Sequence, residues 1–216
     1  TLRAYKSEWE IAQIQKATDL CDIAYDKMIA AIKPGAYEFE VAAAKVNKKV
    51  KDAIEVAYSN IYKFHNAQKR DEIKVETTPG VVCIQRPVAI KRVGLYIPGG
   101  SAPLFSTVLM LAIPAKIAGC RQVIMCTPCN SLGEVAPEVL YTARRCGVDK
   151  VFKIGGAQAI AAMAYGAGKV EKVNKIFGPG NRYVTAAKQI VSGESTAIDM
   201  PAGPSEVMIL ADSSAR

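Results

Sequence analysis

The apolar positions of the amino-terminal third recur at helical spacing. Ser7, followed three residues later by Glu10, is a capping box, and apolar residues return every three or four positions behind it. A Lys-Pro-Gly segment at 33–35 ends this first helix, and a second helical pattern runs from about residue 38 to residue 64. Residues 1–70 are therefore predicted to form a helical amino-terminal region.

Weak alternation of apolar and polar residues follows at 71–92 and predicts a hairpin or two short strands. Beyond residue 92, short β-branched runs alternate with Gly/Pro turns and helical stretches. The predicted strands are 93–97, 122–126, 150–154, 175–177, 197–200 and 207–211, and the predicted helices are 104–118, 134–145, 158–165 and 181–191. Strands that alternate with helices in this way favour βαβ crossovers and a mostly parallel sheet.

The same pattern suggests where the domains divide. Residues 93–205 are predicted to form one α/β domain, which holds five of the six candidate strands. The last candidate strand, at 207–211, arrives just before the sequence stops. We therefore expect residues 206–216 to be the first strand of a returning, truncated domain.

Composition narrows the class of protein. Half of the 216 residues are apolar and 22% are charged, which is ordinary for a globular protein. His65 is the sole histidine, so a Cys/His zinc finger or an H-E-x-x-H hydrolase is excluded. The longest uncharged run, 93–115, is interrupted by Pro and Gly, which argues against a membrane helix. Since no leader pattern opens the chain, we expect a cytoplasmic protein that does not bind membranes.

The net charge and the cysteines do not point to nucleic acid binding or to a redox or zinc site. The net charge of +8 is spread evenly, because residues 1–92 and 93–216 each carry four more basic than acidic residues. Nucleic acid binding would want a concentrated basic stripe, so none is expected. Cys126 and Cys129 have C-x-x-C spacing, but no second pair follows and the next residues continue a loop. Reduced thiols are therefore favoured over a redox or zinc site.

Four Gly- or Pro-rich turns follow predicted strands. Ligands bind where the carboxyl ends of parallel strands meet helix amino ends, and helix amino ends attract phosphate. None of the turns is a Walker A loop or a G-x-G-x-x-G fingerprint, and each could be only a tight connection. Asn181 could cap its helix or bind a ligand, whereas Gln158 has little capping value where it stands. The four turns lie at 96–103, 155–158, 178–181 and 201–205.

These turns resemble segments of the histidinol dehydrogenase family. The matching segments are RVGLYIPGG at 92–100, GGAQAIAA at 155–162, KIFGPGN at 175–181 and DMPAGPSE at 199–206, with NIYKFHNAQ at 60–68 before them. The resemblance implies an α/β fold with an irregular Rossmann-like, mostly parallel sheet and helices on both faces, preceded by a helical amino-terminal region.

The resemblance also implies a function. The family oxidises L-histidinol to L-histidine by two successive hydride transfers to NAD, with a bound zinc holding the substrate, and the complete enzyme is expected to be a homodimer. Tyr96, Gln158 and Asn181 fall on positions that contact NAD, and Ser205 falls on a substrate-contacting position. The family's acid/base pair and zinc ligands lie beyond the segment that matches Arg216. We therefore expect no catalytic or metal-binding residue in this chain and no activity from it alone.

Two alternatives stay open. Residues 1–40 look like the entry helices of the creatinase/Xaa-Pro aminopeptidase family, although none of its metal ligands is present, which would make the chain a fusion. The second alternative is a non-catalytic α/β module that binds a nucleotide. Turnover of histidinol by the chain would distinguish an enzyme from such a module.

Overall fold

The computed structural model describes residues 45–100 and 102–200. All of them belong to one compact unit that spans Ala42–Arg216. The capping box at Ser7, the predicted first helix, Ser205 and the predicted strand at 207–211 lie outside the described residues.

Helix α1 (Lys48–Ala67) begins later than the sequence pattern predicts. The prediction of one unbroken helix through Val46 is wrong, because Asn47 has extended backbone with φ −61° and ψ 143°. The Asn47 side chain accepts a hydrogen bond from the Lys49 amide at 2.9 Å and caps the helix. Ile54 is buried, and the Glu55 carboxylate accepts hydrogen bonds from Nε and Nη2 of Arg145 at 2.7 and 2.8 Å.

Strands β1 (Ile73–Thr78) and β2 (Val81–Gln85) form the hairpin predicted for residues 71–92. They pair antiparallel, and the turn between them contains Gly80 with φ +84°. Every residue of both strands is exposed, which is why their apolar and polar positions alternate only weakly.

Five strands form the second sheet, and all of their pairings are parallel. Their order across the sheet is β5-β4-β3-β6-β7. The sheet strand that comes first in the chain therefore lies at the centre. The strands are β3 (Arg92–Tyr96), β4 (Gln122–Cys126), β5 (Lys150–Phe152), β6 (Lys175–Phe177) and β7 (Ala197–Ile198).

Four helices cover both faces of this sheet, as predicted. Helices α2 and α3 pack together on one face, whereas α4 and α5 pack together on the other, with α4 against β3 and β6. Helix α1 packs on α2. The helices are α2 (Phe105–Ile117), α3 (Pro137–Arg145), α4 (Gly156–Tyr165) and α5 (Arg182–Glu194).

Local chemistry explains where the boundaries differ from the prediction. Helix α3 starts three residues late, because the Asn130 side chain accepts hydrogen bonds from the amides of Leu132 and Glu134, both at 2.9 Å, and holds a loop. Pro137 then provides the first helical residue, since its missing N–H costs nothing there. Strands β5 and β7 end two residues earlier than predicted.

The long uncharged run at 93–115 is divided between strand β3, a loop and helix α2. Among the described residues, no helix has the length and apolar content needed to cross a membrane. The run is apolar because β3 is buried and α2 packs on the sheet.

Candidate functional site

The sheet changes winding direction between β3 and β6. From β3 the chain moves outward through β4 to β5, then returns past β3 to form β6 and β7 on the other side. The loops that follow β3 and β6 must therefore diverge, which leaves a crevice at the carboxyl ends of these two strands. Ligands of doubly wound proteins bind in such a crevice.

Gly178 closes the base of this crevice. Its φ is +133°, and a Cβ at this position would lie 2.1 Å from the carbonyl oxygen of Tyr96. No side chain fits in that space, so glycine lets the backbones after β3 and β6 approach each other closely.

Tyr96 ends β3, but its side chain is placed differently from the expectation. The residue is only 4% exposed, and its hydroxyl oxygen accepts a hydrogen bond from the Gly156 amide at 2.9 Å. The ring thus lies in the core against α4, and the hydroxyl binds the amino end of that helix. The hydroxyl still has its own O–H to donate to a ligand, whereas the ring is enclosed by the protein.

Gln158 lies in the first turn of α4 and is exposed. Gly156, with φ +73°, begins the helix, and a Cβ there would lie 2.8 Å from the Gln158 side-chain oxygen. The amide group of Gln158 therefore folds back over the start of the helix, at the same edge of the sheet as the crevice.

Asn181 is the N-cap of α5. Its side-chain oxygen accepts hydrogen bonds from the amides of Tyr183 at 3.0 Å and Val184 at 3.1 Å. Asn181 therefore caps its helix, which is one of the two roles left open for it, and these two amides are occupied by the cap. The structure places Tyr96, Gln158 and Asn181 at one edge, since the strands before them are parallel.

Pro128, in the loop after β4, packs between two of the four turns, which the sequence did not indicate. A Cβ on Gly99 or on Gly155 would lie 2.6 Å from the Pro128 ring, so the ring is wedged between the loops that follow β3 and β5. This packing explains the C-x-x-C segment without redox chemistry. Burial raises the pKa of the Cys126 thiol to about 12, so that thiol stays protonated at neutral pH.

An ion pair lies beneath the turn that enters α5. Lys188 is buried, and its ammonium donates to the Gly178 carbonyl at 2.8 Å and binds the Asp199 carboxylate. The other Asp199 oxygen accepts a hydrogen bond from the Gly178 amide at 2.8 Å. Both residues were missed, because an isolated Lys within a helix pattern is ordinarily a solvated residue.

The described residues do not fit a zinc site. Within 45–100 and 102–200, no group of three or more His, Cys, Asp or Glu side chains could hold a metal ion. His65 lies near the end of α1, where its Nδ1 hydrogen-bonds to Gln68 at 2.7 Å. The expectation that no metal ligand occurs in this chain stays a prediction.

The fold and site define a class of protein. The sheet is parallel, and its first strand in the chain lies at the centre with two strands on either side. This is a doubly wound α/β architecture. The histidinol dehydrogenase family model matches residues 11–216, and the chain belongs to that family.

Individual relatives agree with the family model. Histidinol dehydrogenase of Bacteroides thetaiotaomicron is 55% identical over 205 residues, covering 94% of this chain and 48% of that protein. The Bacteroides fragilis protein is 58% identical over 196 residues, covering 90% and 46%. The crystal structure of histidinol dehydrogenase from Elizabethkingia anophelis has a TM-score of 0.77 and 45% identity, covering 95% of this chain and 50% of that one.

Two conclusions follow from the matched ranges. The chain spans about half the length of these relatives. The likeness of residues 1–40 to the creatinase/Xaa-Pro aminopeptidase family is wrong, because the histidinol dehydrogenase match starts at residue 11 and covers most of that segment. Helical spacing alone carries too little information to separate the two families.

Proposed function

We propose that this chain forms the NAD side of the site of a histidinol dehydrogenase, an oxidoreductase of histidine biosynthesis. The observation that carries the proposal is the switch point between β3 and β6, where Gly178 packs against the Tyr96 carbonyl. NAD+ bound there would supply the hydride acceptor. One NAD+ would take a hydride from L-histidinol, and a second NAD+, bound after the first has left as NADH, would take a hydride from the hydrated aldehyde, with water supplying the added oxygen.

The groups around the crevice fit a dinucleotide. A pyrophosphate needs close approach to backbone amides at a helix amino end. The Gly178 amide already binds Asp199, and the amides of Tyr183 and Val184 bind the Asn181 cap, so we assign the amides of residues 180–182, at the amino end of α5, to the pyrophosphate. Asn181 fixes the start of that helix through its cap.

Tyr96 and Gln158 would complete the cofactor contacts. The Tyr96 hydroxyl, which already accepts from Gly156, would donate a hydrogen bond to the cofactor. The Gln158 amide is exposed at the same edge and would hydrogen-bond the ribose or nicotinamide part. Both side chains would orient NAD without taking part in proton transfer.

Zinc and the acid/base pair would come from the half of the relatives that this chain does not span. The described residues offer no metal cluster, and we derive no step through zinc from them. Ser205 would contact the substrate, and the chain alone would bind NAD without oxidising histidinol. We expect a homodimer only for the complete enzyme.

Calorimetric titration of NAD+ into the purified chain tests this proposal. Saturable binding with a dissociation constant below about 1 mM is expected. Gln158→Ala should weaken the binding without changing the thermal midpoint, since the side chain is exposed. Glu171→Gln, at the opposite edge of the sheet, is the matched control. Absence of binding in the wild type would overturn the assignment.

A non-catalytic nucleotide-binding module would share the crevice but not the complete reaction. The full-length protein that contains this chain distinguishes the two. NADH production from L-histidinol by that protein is expected, whereas NAD+ binding without turnover would favour the module.

A further inference from the structure

The backbone of Gly178 is held from below by two side chains that the cofactor assignment does not use. The Gly178 carbonyl accepts from the Lys188 ammonium, and the Gly178 amide donates to the Asp199 carboxylate, both at 2.8 Å. The carboxylate and the ammonium also bind each other. Both the backbone N–H and the backbone C=O of Gly178 are therefore bound by a single ion pair.

The ion pair lies in a largely buried place, where stability alone does not explain it. The Lys188 side chain is 9% exposed and that of Asp199 is 30% exposed, so both charges have lost much of their water. Burying an ion pair often contributes no more stability than apolar residues of similar size would. Its directional hydrogen bonds, however, orient the groups that they contact.

Those groups lie at the candidate cofactor turn. Gly178 faces the Tyr96 carbonyl on one side and begins the segment that leads to the Asn181 cap on the other. Asp199 is itself fixed, since its amide donates to the Ile176 carbonyl of β6 at 3.1 Å. The ion pair thus connects α5 and the segment after β7 to the backbone of Gly178, just after the end of β6.

We propose that Lys188 and Asp199 are positioning residues that hold the 178–181 turn in the conformation that binds the dinucleotide pyrophosphate. This inference rests on the proposed NAD site. The two residues touch the turn and not the cofactor, and their opposite charges balance each other.

Two double variants of equal charge test the proposal. Lys188→Met with Asp199→Asn removes both charges and keeps an oxygen that can accept from the Gly178 amide. Lys188→Met with Asp199→Leu removes the charges and that acceptor. Because neither variant leaves a single buried charge, both are expected to fold. Lys150→Met with Glu171→Leu, an exposed ion pair at the opposite edge, is the matched control.

NAD+ titration, thermal melting and amide hydrogen exchange at Gly178 are the measurements. We expect the Leu variant to bind NAD+ about tenfold more weakly than the Asn variant, with similar thermal midpoints and with faster exchange at Gly178 only in the Leu variant. The control pair should bind like the wild type. Equal affinity of the two double variants would overturn the proposal.

Two other outcomes are also decisive. If the Leu variant shows no cooperative melt, the Asn variant is compared with the wild type instead. In the Asn variant the Gly178 carbonyl has lost the Lys188 donor, so an NAD+ affinity equal to that of the wild type would overturn the proposal. If the wild type itself binds no NAD+, the cofactor assignment fails. Hydrogen exchange then still shows whether the ion pair orders Gly178, which separates the two failures.

Discussion

Met163 of α4 occupies the space that a side chain on Gly94 of β3 would need. A Cβ on Gly94 would lie 2.6 Å from the Met163 sulfur, and Met163 is fully buried. Helix α4 therefore packs directly on the backbone of the central strand, and this contact sets how closely the helix that carries Gln158 approaches the end of β3.

Gly94→Ala should lower the free energy of unfolding by about 1 to 3 kcal/mol, because the added methyl overpacks the core. In a Met163→Ala background the same substitution should cost less, because only the Val173 methyl, 3.2 Å from the added Cβ, stays in tight contact, and a double-mutant cycle in urea would show this. Gly193→Ala provides the control, since nothing lies within 4 Å of a Cβ there and alanine favours the helix. Additive effects at positions 94 and 163 would contradict the contact.

Gly178→Ala should be more damaging than the same change at another glycine of positive φ. The methyl would meet the Tyr96 carbonyl as well as strain the backbone, so a loss of about 3 to 5 kcal/mol is expected. Gly80 has a φ of +84°, against +133° at Gly178, and open space around its Cβ position, so Gly80→Ala should cost about 1 to 2 kcal/mol. Chemical denaturation of both variants measures the difference, and similar losses would argue against close approach at Gly178.

Asn181 is expected to serve both the helix and the cofactor. Asn181→Ala should lower stability by about 1 kcal/mol through the lost cap and also weaken NAD+ binding. Asn181→Asp keeps the capping oxygen but adds a negative charge, so it should retain stability and still lose affinity for the pyrophosphate. Asn47→Ala, at the cap of α1, should lose similar stability without changing NAD+ affinity.

An NAD+ affinity that is unchanged in both Asn181 variants would leave this residue with the capping role alone. Thermal melting and calorimetric titration of the three variants separate the two roles, because the stability change and the affinity change are measured independently.

Stability should fall in alkaline solution because of two buried thiols. Burial raises the pKa of Cys126 and of Cys146 from 9.0 to about 12, so the unfolded chain releases these protons first. The stabilisation is complete below pH 9 and is lost as the pH rises toward 12, by about 1.4 kcal/mol per pH unit for each thiol. Urea denaturation at pH 8, 9 and 10 should show this decline.

In Cys126→Ala the free energy of unfolding should fall less steeply above pH 9, because one thiol fewer releases a proton on unfolding. The variant should nevertheless be less stable than the wild type at pH 8. If the wild type and the variant lose stability equally between pH 9 and pH 10, the Cys126 thiol is not the group responsible.

Much of the α/β pattern could be read from the sequence. Strands β4 and β6 match their predicted bounds, because each is a short apolar run closed by charged residues and turn residues. The position of Tyr96, Gln158 and Asn181 at one edge also followed from sequence, since βαβ units force parallel strands to end together. Boundaries shifted where a side chain contacted backbone nearby, as at Asn47 and Asn130.

Only the tertiary structure decided how those turns are held together. The order of the strands depends on which way each crossover packs, and no local pattern records that choice. The contacts of Tyr96 with Gly156, of Pro128 with Gly155 and of Lys188 with Gly178 join segments that are 10 to 60 positions apart. Local propensity acts over a few residues, so the sequence by itself determined the elements and the family, whereas long-range packing determined the shape of the crevice.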